Sequence, residues 1–247
     1  MKPAANSVSR PASRPAPNFD PLARLYRWME YLSFGPWLWR CRCAFLPQLT
    51  ACRRALVLGD GDGRFTARLL RANPAIEIDA IDASPAMLHA LQRRAGPHVD
   101  RVRTHRADAR LWTPPTPPCD LIVTHFFLDC LGSDEIAALA ATLHLAAAPG
   151  AMWVVSEFAV PAGLFGQLVA RPVVAGLYWA FGWMTGLAAR NLPDHAAALR
   201  RAGFALQKQR TWLGGLLVSQ LWVKTSCQDP LSGPIVMTRS TQMLQQC

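Results

Sequence analysis

The residues best suited to chemistry start at Gly59-Asp60-Gly61-Asp62-Gly63. Glycines at alternate positions let backbone amides approach a ligand closely, because glycine takes positive φ without strain. Asp82 follows 23 residues beyond Gly59, behind the apolar run Ile76 to Ile81. An acid at that distance from a glycine loop can accept hydrogen bonds from two ribose hydroxyls. The spacing is GxGxG rather than the GxGxxG of a dinucleotide site, with Asp60 and Asp62 inside the loop. Two carboxylates crowd an anionic pyrophosphate. They suit a positively charged ligand, or one with an amino group and ribose but no phosphates.

These groups can act together only if a fold carries them to one edge. Ala55 to Leu58 is a short apolar run ended by the glycine loop, as in a buried parallel strand. A helix is expected over Phe65 to Arg71, a strand over Ile76 to Ile81 and a helix opened by Pro85 and continued by Met87, Leu88 and Leu91. Strands are expected over Val99 to His105 and Asp120 to Thr124. A helix over Asp134 to Leu145 with Ser133 as N-cap follows, then a turn at Ala147 to Gly150 and a strand over Met152 to Ser156. A helix from Leu192 to Ala202, with Pro193 in its first turn, precedes strands at Phe204 to Arg210 and Leu216 to Lys224. Such alternation predicts an α/β fold, a mostly parallel sheet with helices on both faces and a mixed end. Its ligands bind at the carboxyl ends of the strands. The expected organisation is a tail at 1–18, an N-terminal helical cap at 19–51, a main domain at 52–225 with a substrate-side helical insert at 159–190, and a tail at 226–247.

At this point the chain resembles the class I S-adenosylmethionine-dependent methyltransferases of small-molecule type, over roughly residues 53–225. The likeness rests on Val57-Leu58-Gly59-Asp60-Gly61-Asp62-Gly63, on Asp82, on Asp108-Ala109 and on His125-Phe126-Phe127 after the fourth strand. It implies a Rossmann-like, seven-stranded, mostly parallel sheet with S-adenosyl-L-methionine as cofactor. Gly59, Asp60, Gly61 and Gly63 would form the cofactor loop, and Asp82 with Ala83 the ribose site. Met87 would lie near the ligand, Asp108 and Ala109 near the adenine, and His125 near the methionine end.

The implied reaction is in-line attack on a sulfonium methyl, which positioning and desolvation accelerate. A general base is needed only where the acceptor must lose a proton. His125, Asp129 and Glu157 are the catalytic candidates, since all three follow strands at the functional edge. Tyr26, Tyr31, Phe126, Tyr178, Trp179 and Trp183 are candidates for a substrate pocket around an apolar or aromatic small molecule. Arg24, Arg27, Arg40 and Arg42 flank one aromatic cluster, and Arg171 and Arg190 the other, which adds peripheral membrane contact as a reading. Two alternatives stay open: a nicotinamide-dependent oxidoreductase, and a non-catalytic cofactor-binding or membrane-associated interaction protein.

Composition narrows the classes. An apolar fraction of 51% and a charged fraction of 17% over 247 residues form a core rather than a disordered chain. The formal charge of +10 favours anionic partners without choosing among them. Nucleic acid is disfavoured, since His125-Phe126-Phe127-Leu128 stands where an Asn-Pro-Pro-Tyr-type motif would be and no RNA-binding module is evident. The 7 cysteines are irregularly spaced and Cys41/Cys43 form only a CxC pair, so free thiols in a cytoplasmic setting and no metal site are expected. The start lacks the apolar core of a signal peptide, and no apolar run reaches the length of a membrane span.

Overall fold

The computed structural model describes residues 34, 36–114, 117–176 and 193–225. Tyr26, Tyr31, Tyr178, Trp179 and Trp183, most of the expected cap, and both tails lie outside them. In chain order the elements are α1 (Pro36–Arg42), β1 (Arg54–Leu58), α2 (Arg64–Ala72), β2 (Glu77–Asp82), α3 (Pro85–Ala95), β3 (Val102–Arg106), β4 (Cys119–His125), α4 (Ser133–Ala146) and β5 (Ala147–Phe158). A helix α5 over 164–176, α6 (His195–Arg201), β6 (Phe204–Trp212) and β7 (Leu217–Lys224) complete them.

The seven strands form one sheet in the order β3-β2-β1-β4-β5-β7-β6. β7 runs antiparallel to both β5 and β6, and the remaining pairs are parallel. Alternation along the strands divides the core between the two faces. Ala55 and Val57 of β1, with Leu121 and Val123 of β4, join Phe65, Leu69 and Leu91 of α2 and α3. Leu56, Leu58 and Ile122 join Ile136, Leu139 and Leu143 of α4 and Leu199 of α6. Both central strands are therefore apolar on both faces, as a sandwiched parallel sheet requires. Asp120 pins the entrance: its carboxylate oxygens accept the backbone N–H groups of Arg53 and Arg54 at 2.8 and 2.9 Å.

The structure moves several expected boundaries. Residues 96–101 form a 3-10 helix, so the third strand starts at Val102 rather than Val99. The N-cap of α4 is Gly132, whose N–H is accepted by Glu135 at 2.8 Å, and Ser133 is the first helical residue. The expected turn at Ala147 to Gly150 is absorbed into β5 as a register shift, with Gly150 at φ 73°. Pro193 precedes α6, which Asp194 caps by accepting the Ala197 N–H at 2.9 Å. The five cysteines among the described residues are free.

Gly63 sets how closely α2 approaches α3. It has φ 77°, and a Cβ there would lie 2.6 Å from the Leu91 Cα. That neighbour is backbone and cannot swing aside. Gly63→Ala is expected to destabilise the domain by about 1–3 kcal/mol, typical of overpacking. Thermal denaturation should show a Tm lower by about 2–4 °C for each kcal/mol.

Candidate functional site

The strand order reverses between β1 and β4, the switch point at which open α/β sheets bind ligands. The register levels the carboxyl ends there: Leu58 pairs with Ile81 and Thr124, and His125 with Ser156. The glycine loop leaves β1 at this edge, tied to β2 by the Gly59 N–H donating to the Ile81 carbonyl at 3.0 Å. Gly61 has φ 59°, and a Cβ placed on it would meet nothing within 4 Å, so its backbone faces open space.

The two loop acids have different fates. Asp62 pairs with Arg94 at 2.8 Å and Arg64 at 3.3 Å, which turns it toward α3. Asp60 Oδ2 accepts the Thr66 N–H at 2.8 Å and so caps α2. Its Oδ1 is buried with no hydrogen-bond partner. Burial pushes the Asp60 carboxyl up to about 6, against the opposing pull of the Thr66 N–H and of Arg42.

Across the edge, Asp82 accepts the Ser84 N–H at 2.8 Å, and Ser84 Oγ accepts the Met87 N–H at 3.2 Å. This leaves Ala83 half-buried and Met87 buried under the turn. Asp108 follows β3, with both oxygens held by the Arg110 guanidinium at 2.6–3.0 Å. Arg110 also reaches Glu135 of α4 at 2.7 Å. The guanidinium holds the Asp108 carboxyl below its ordinary range. Asp108 thus fixes the loop that carries the buried Ala109, and it keeps only the acceptor capacity that Arg110 leaves.

Arg42 is the residue that sequence reasoning misplaced among flanking surface charges. It ends α1 and is buried, its guanidinium 5.3 Å from the Phe126 ring centroid. Its charge acts on both Asp60 and His125, so α1 delivers a cation to the glycine loop. The one available signal was position: the Arg lies in the cap just ahead of β1.

Beyond β4 the structure separates the three catalytic candidates. His125 lies on the α2 side, edge-on to Phe65 at 4.5 Å between centroids. It is buried, neither ring nitrogen has a partner, and burial with the Arg42 charge pushes its pKa down, leaving the imidazole neutral. Phe126 then takes φ 53°, a left-handed conformation uncommon for a bulky side chain and concentrated at functional sites. Its N–H donates to the Ser156 carbonyl at 2.7 Å. The next ring, Phe127, lies over Gly59. Glu157 Oε1 accepts the N–H groups of Phe127 and Leu128 at 3.2 and 2.9 Å, whereas its Oε2 is buried without a partner. Burial and the neighbouring Asp129 charge push the Glu157 carboxyl well up. Cys130 donates to Asp129 Oδ1 at 3.5 Å, and burial raises its thiol too. The three candidates therefore fall in two groups: His125 with Asp60 and Arg42 on the α2 side, and Asp129 and Glu157 with Cys130 in and under the loop. Phe126, Phe158 and Phe34 add an aromatic row toward the cap, with centroids 5.1 and 5.3 Å apart.

Residues 56–153 match a family model described as a methyltransferase domain. That stretch, from β1 into β5, is similar to the methyltransferase domains. The chain is 37% identical over 75 residues to a malonyl-[acyl-carrier protein] O-methyltransferase from Paenibacillus sp. (strain JDR-2), covering 29% of this chain and 27% of that protein. It is 37% identical over 102 residues to a trans-aconitate 2-methyltransferase from Methylobacterium radiotolerans, covering 41% and 36%. These matches span about a third of the curated relatives' length. Among solved structures, the S-adenosylmethionine-dependent methyltransferase SibL shares the fold, with a TM-score of 0.63 at 20% identity over 87% of this chain and 64% of that one. The seven-stranded methyltransferase fold stands as expected, and the family match is to methyl transfer rather than to the nicotinamide-dependent alternative.

Asp60 gives a signed pH effect. Because its folded pKa is raised, its contribution to stability is complete below the unfolded value of 3.8 and is lost as pH rises through about 6. Urea denaturation across pH 4–7 should show this slope in the free protein, and Asp60→Asn should flatten it.

Proposed function

We propose that this domain transfers a methyl group from S-adenosylmethionine to a small apolar or aromatic acceptor. The observation that carries the reading is the buried, unpartnered Asp60 Oδ1 beside the open backbone of Gly61 and the buried Arg42. The donor set fits the cofactor's chemistry. Asp60 suits its cationic amino group, Arg42 its carboxylate, Asp82 its ribose hydroxyls, and the Asp108-Ala109 turn its adenine. Met87 and His125 close the loop from either side. Bound S-adenosylmethionine supplies an electrophilic sulfonium methyl.

The chain's own residues then have distinct tasks. Glu157 positions the loop after β4 by accepting its backbone N–H groups. Burial and the neighbouring Asp129 charge push the Glu157 carboxyl well up, which supports a protonated Glu157 beside an ionised Asp129. Asp129 is accordingly the group to take a proton from an acceptor hydroxyl or carboxyl. The names of the two curated relatives, an O-methyltransferase and a trans-aconitate methyltransferase, support acceptors of that kind. His125, neutral and packed on Phe65, shapes the donor side rather than holding charge. Phe126, Phe158 and Phe34 offer the acceptor an apolar wall that excludes water.

Calorimetry should show S-adenosylmethionine binding and no comparable heat with NAD; the reverse result would sink the reading. Asp82→Ala should weaken donor binding by about 10–100-fold, the cost of losing charge-assisted hydrogen bonds. Asp129→Asn should leave donor affinity within a few-fold while kcat falls by about 10²–10⁴, the usual range for a general base. Single-turnover methyl transfer to catechol and aromatic carboxylic acids would measure it.

A further inference from the structure

Helix α5 is apolar on both sides. Its inner stripe, Ala170 and Val174, packs on Leu216 with Phe34, Phe158 and Leu213 at the carboxyl edge of the sheet. Gly166 seats it so closely that a Cβ would strike the Pro161 carbonyl. Its outer face should then be polar, as on an ordinary surface helix. Instead Leu164 is 75% and Leu168 71% exposed, with Phe165, Val169 and Val173 also exposed beside them. Gln167 and Arg171 are the polar members of that face. Trp39 and Arg40 of α1 are exposed as well, and α1 shares Phe34, Phe158 and Leu213 as packing partners with α5.

Charge identifies what covers this face. No Asp or Glu occurs from Tyr31 to Gly59 or from Phe158 to Pro193. Within them Arg40 of α1 and Arg171 of α5 are exposed, in a chain of formal charge +10. A second copy meeting the same face across a two-fold axis would set these arginines against their own kind with no carboxylate to pair. An anionic lipid surface satisfies both halves, burying the leucines and pairing the arginines with headgroups. The composition of the following stretch, Tyr178-Trp179 and Trp183 among apolar residues, matches side chains that favour the membrane interface. Among the described residues no helix is long and apolar enough to cross a membrane, so contact is with the surface.

We infer that the outer face of α5, with Trp39 and Arg40 at its margin, docks the protein on an anionic membrane surface. The test is co-sedimentation of the full chain with phosphatidylcholine vesicles, with and without a quarter phosphatidylglycerol. The wild-type chain should bind the anionic vesicles, and added salt should weaken binding. The double substitution Leu164→Glu/Leu168→Glu should reduce partitioning by about tenfold or more, as loss of buried apolar area with gain of like charge predicts. Arg171→Glu should reduce it on anionic vesicles alone. Unchanged melting temperatures would confirm that the variants fold; should the double variant melt early, Arg171→Glu alone decides. Wild-type binding no greater with phosphatidylglycerol than without overturns the inference, as does a folded variant that binds like wild type. A dimer that the double substitution dissolves, without any vesicle binding, reassigns the face to self-association and equally overturns it. Donor binding is measured separately, so failure here leaves the methyl-transfer reading standing.

Discussion

A single buried carboxyl group holds the working edge together. Glu157 ends the apolar centre of β5, where an unpaired ion would be costly, and it accepts N–H groups from the loop that follows β4. Those N–H groups have no ladder to join, because the chain has left the sheet and Phe126 has turned left-handed. Phe127 can lie across Gly59 only while that turn is held. The glycine loop and the loop after β4 are thus tied to one another through one side chain on a third strand.

Around that lock, each element contributes one kind of group. The glycine loop offers backbone and the Asp60 oxygen, β2 offers Asp82, and α1 brings Arg42 across the top. The arginine belongs to the cap rather than to the sheet, so the site's electrostatics are complete only when the cap is packed. Cys41 fixes this packing by donating to the Val218 carbonyl at 3.4 Å, while Leu38 and Leu217 close the seam. The sheet supplies geometry and the cap supplies charge.

The strands and the glycine loop were legible because their signals are local. The apolar run Ala55 to Leu58 ends in Gly59 and the run Ile76 to Ile81 in Asp82, and Ser84-Pro85 opens α3 as capping rules require. The 3-10 turn at Gly96–Arg101 was not legible, since Val99 continues an apparent strand pattern although it is exposed in the turn. Asp82 and Asp60 were readable from spacing. The engagement of Asp108 by Arg110 and of Glu157 by the loop was not, because each depends on what packs beside it. Arg42 shows the same limit from the other direction, as an arginine among arginines distinguished only by its burial.

The cysteines behave alike. Burial pushes Cys43 up to about 11 and Cys41, Cys52 and Cys119 to about 12. Burial also raises Cys130, and the neighbouring Asp129 charge reinforces it. The reactive form of a cysteine is the thiolate. A methyl donor is an alkylating agent toward any strong nucleophile it meets, and Cys130 stands in the loop after β4. Burial, reinforced by the carboxylate beside it in the loop, keeps that sulfur in its less reactive thiol form.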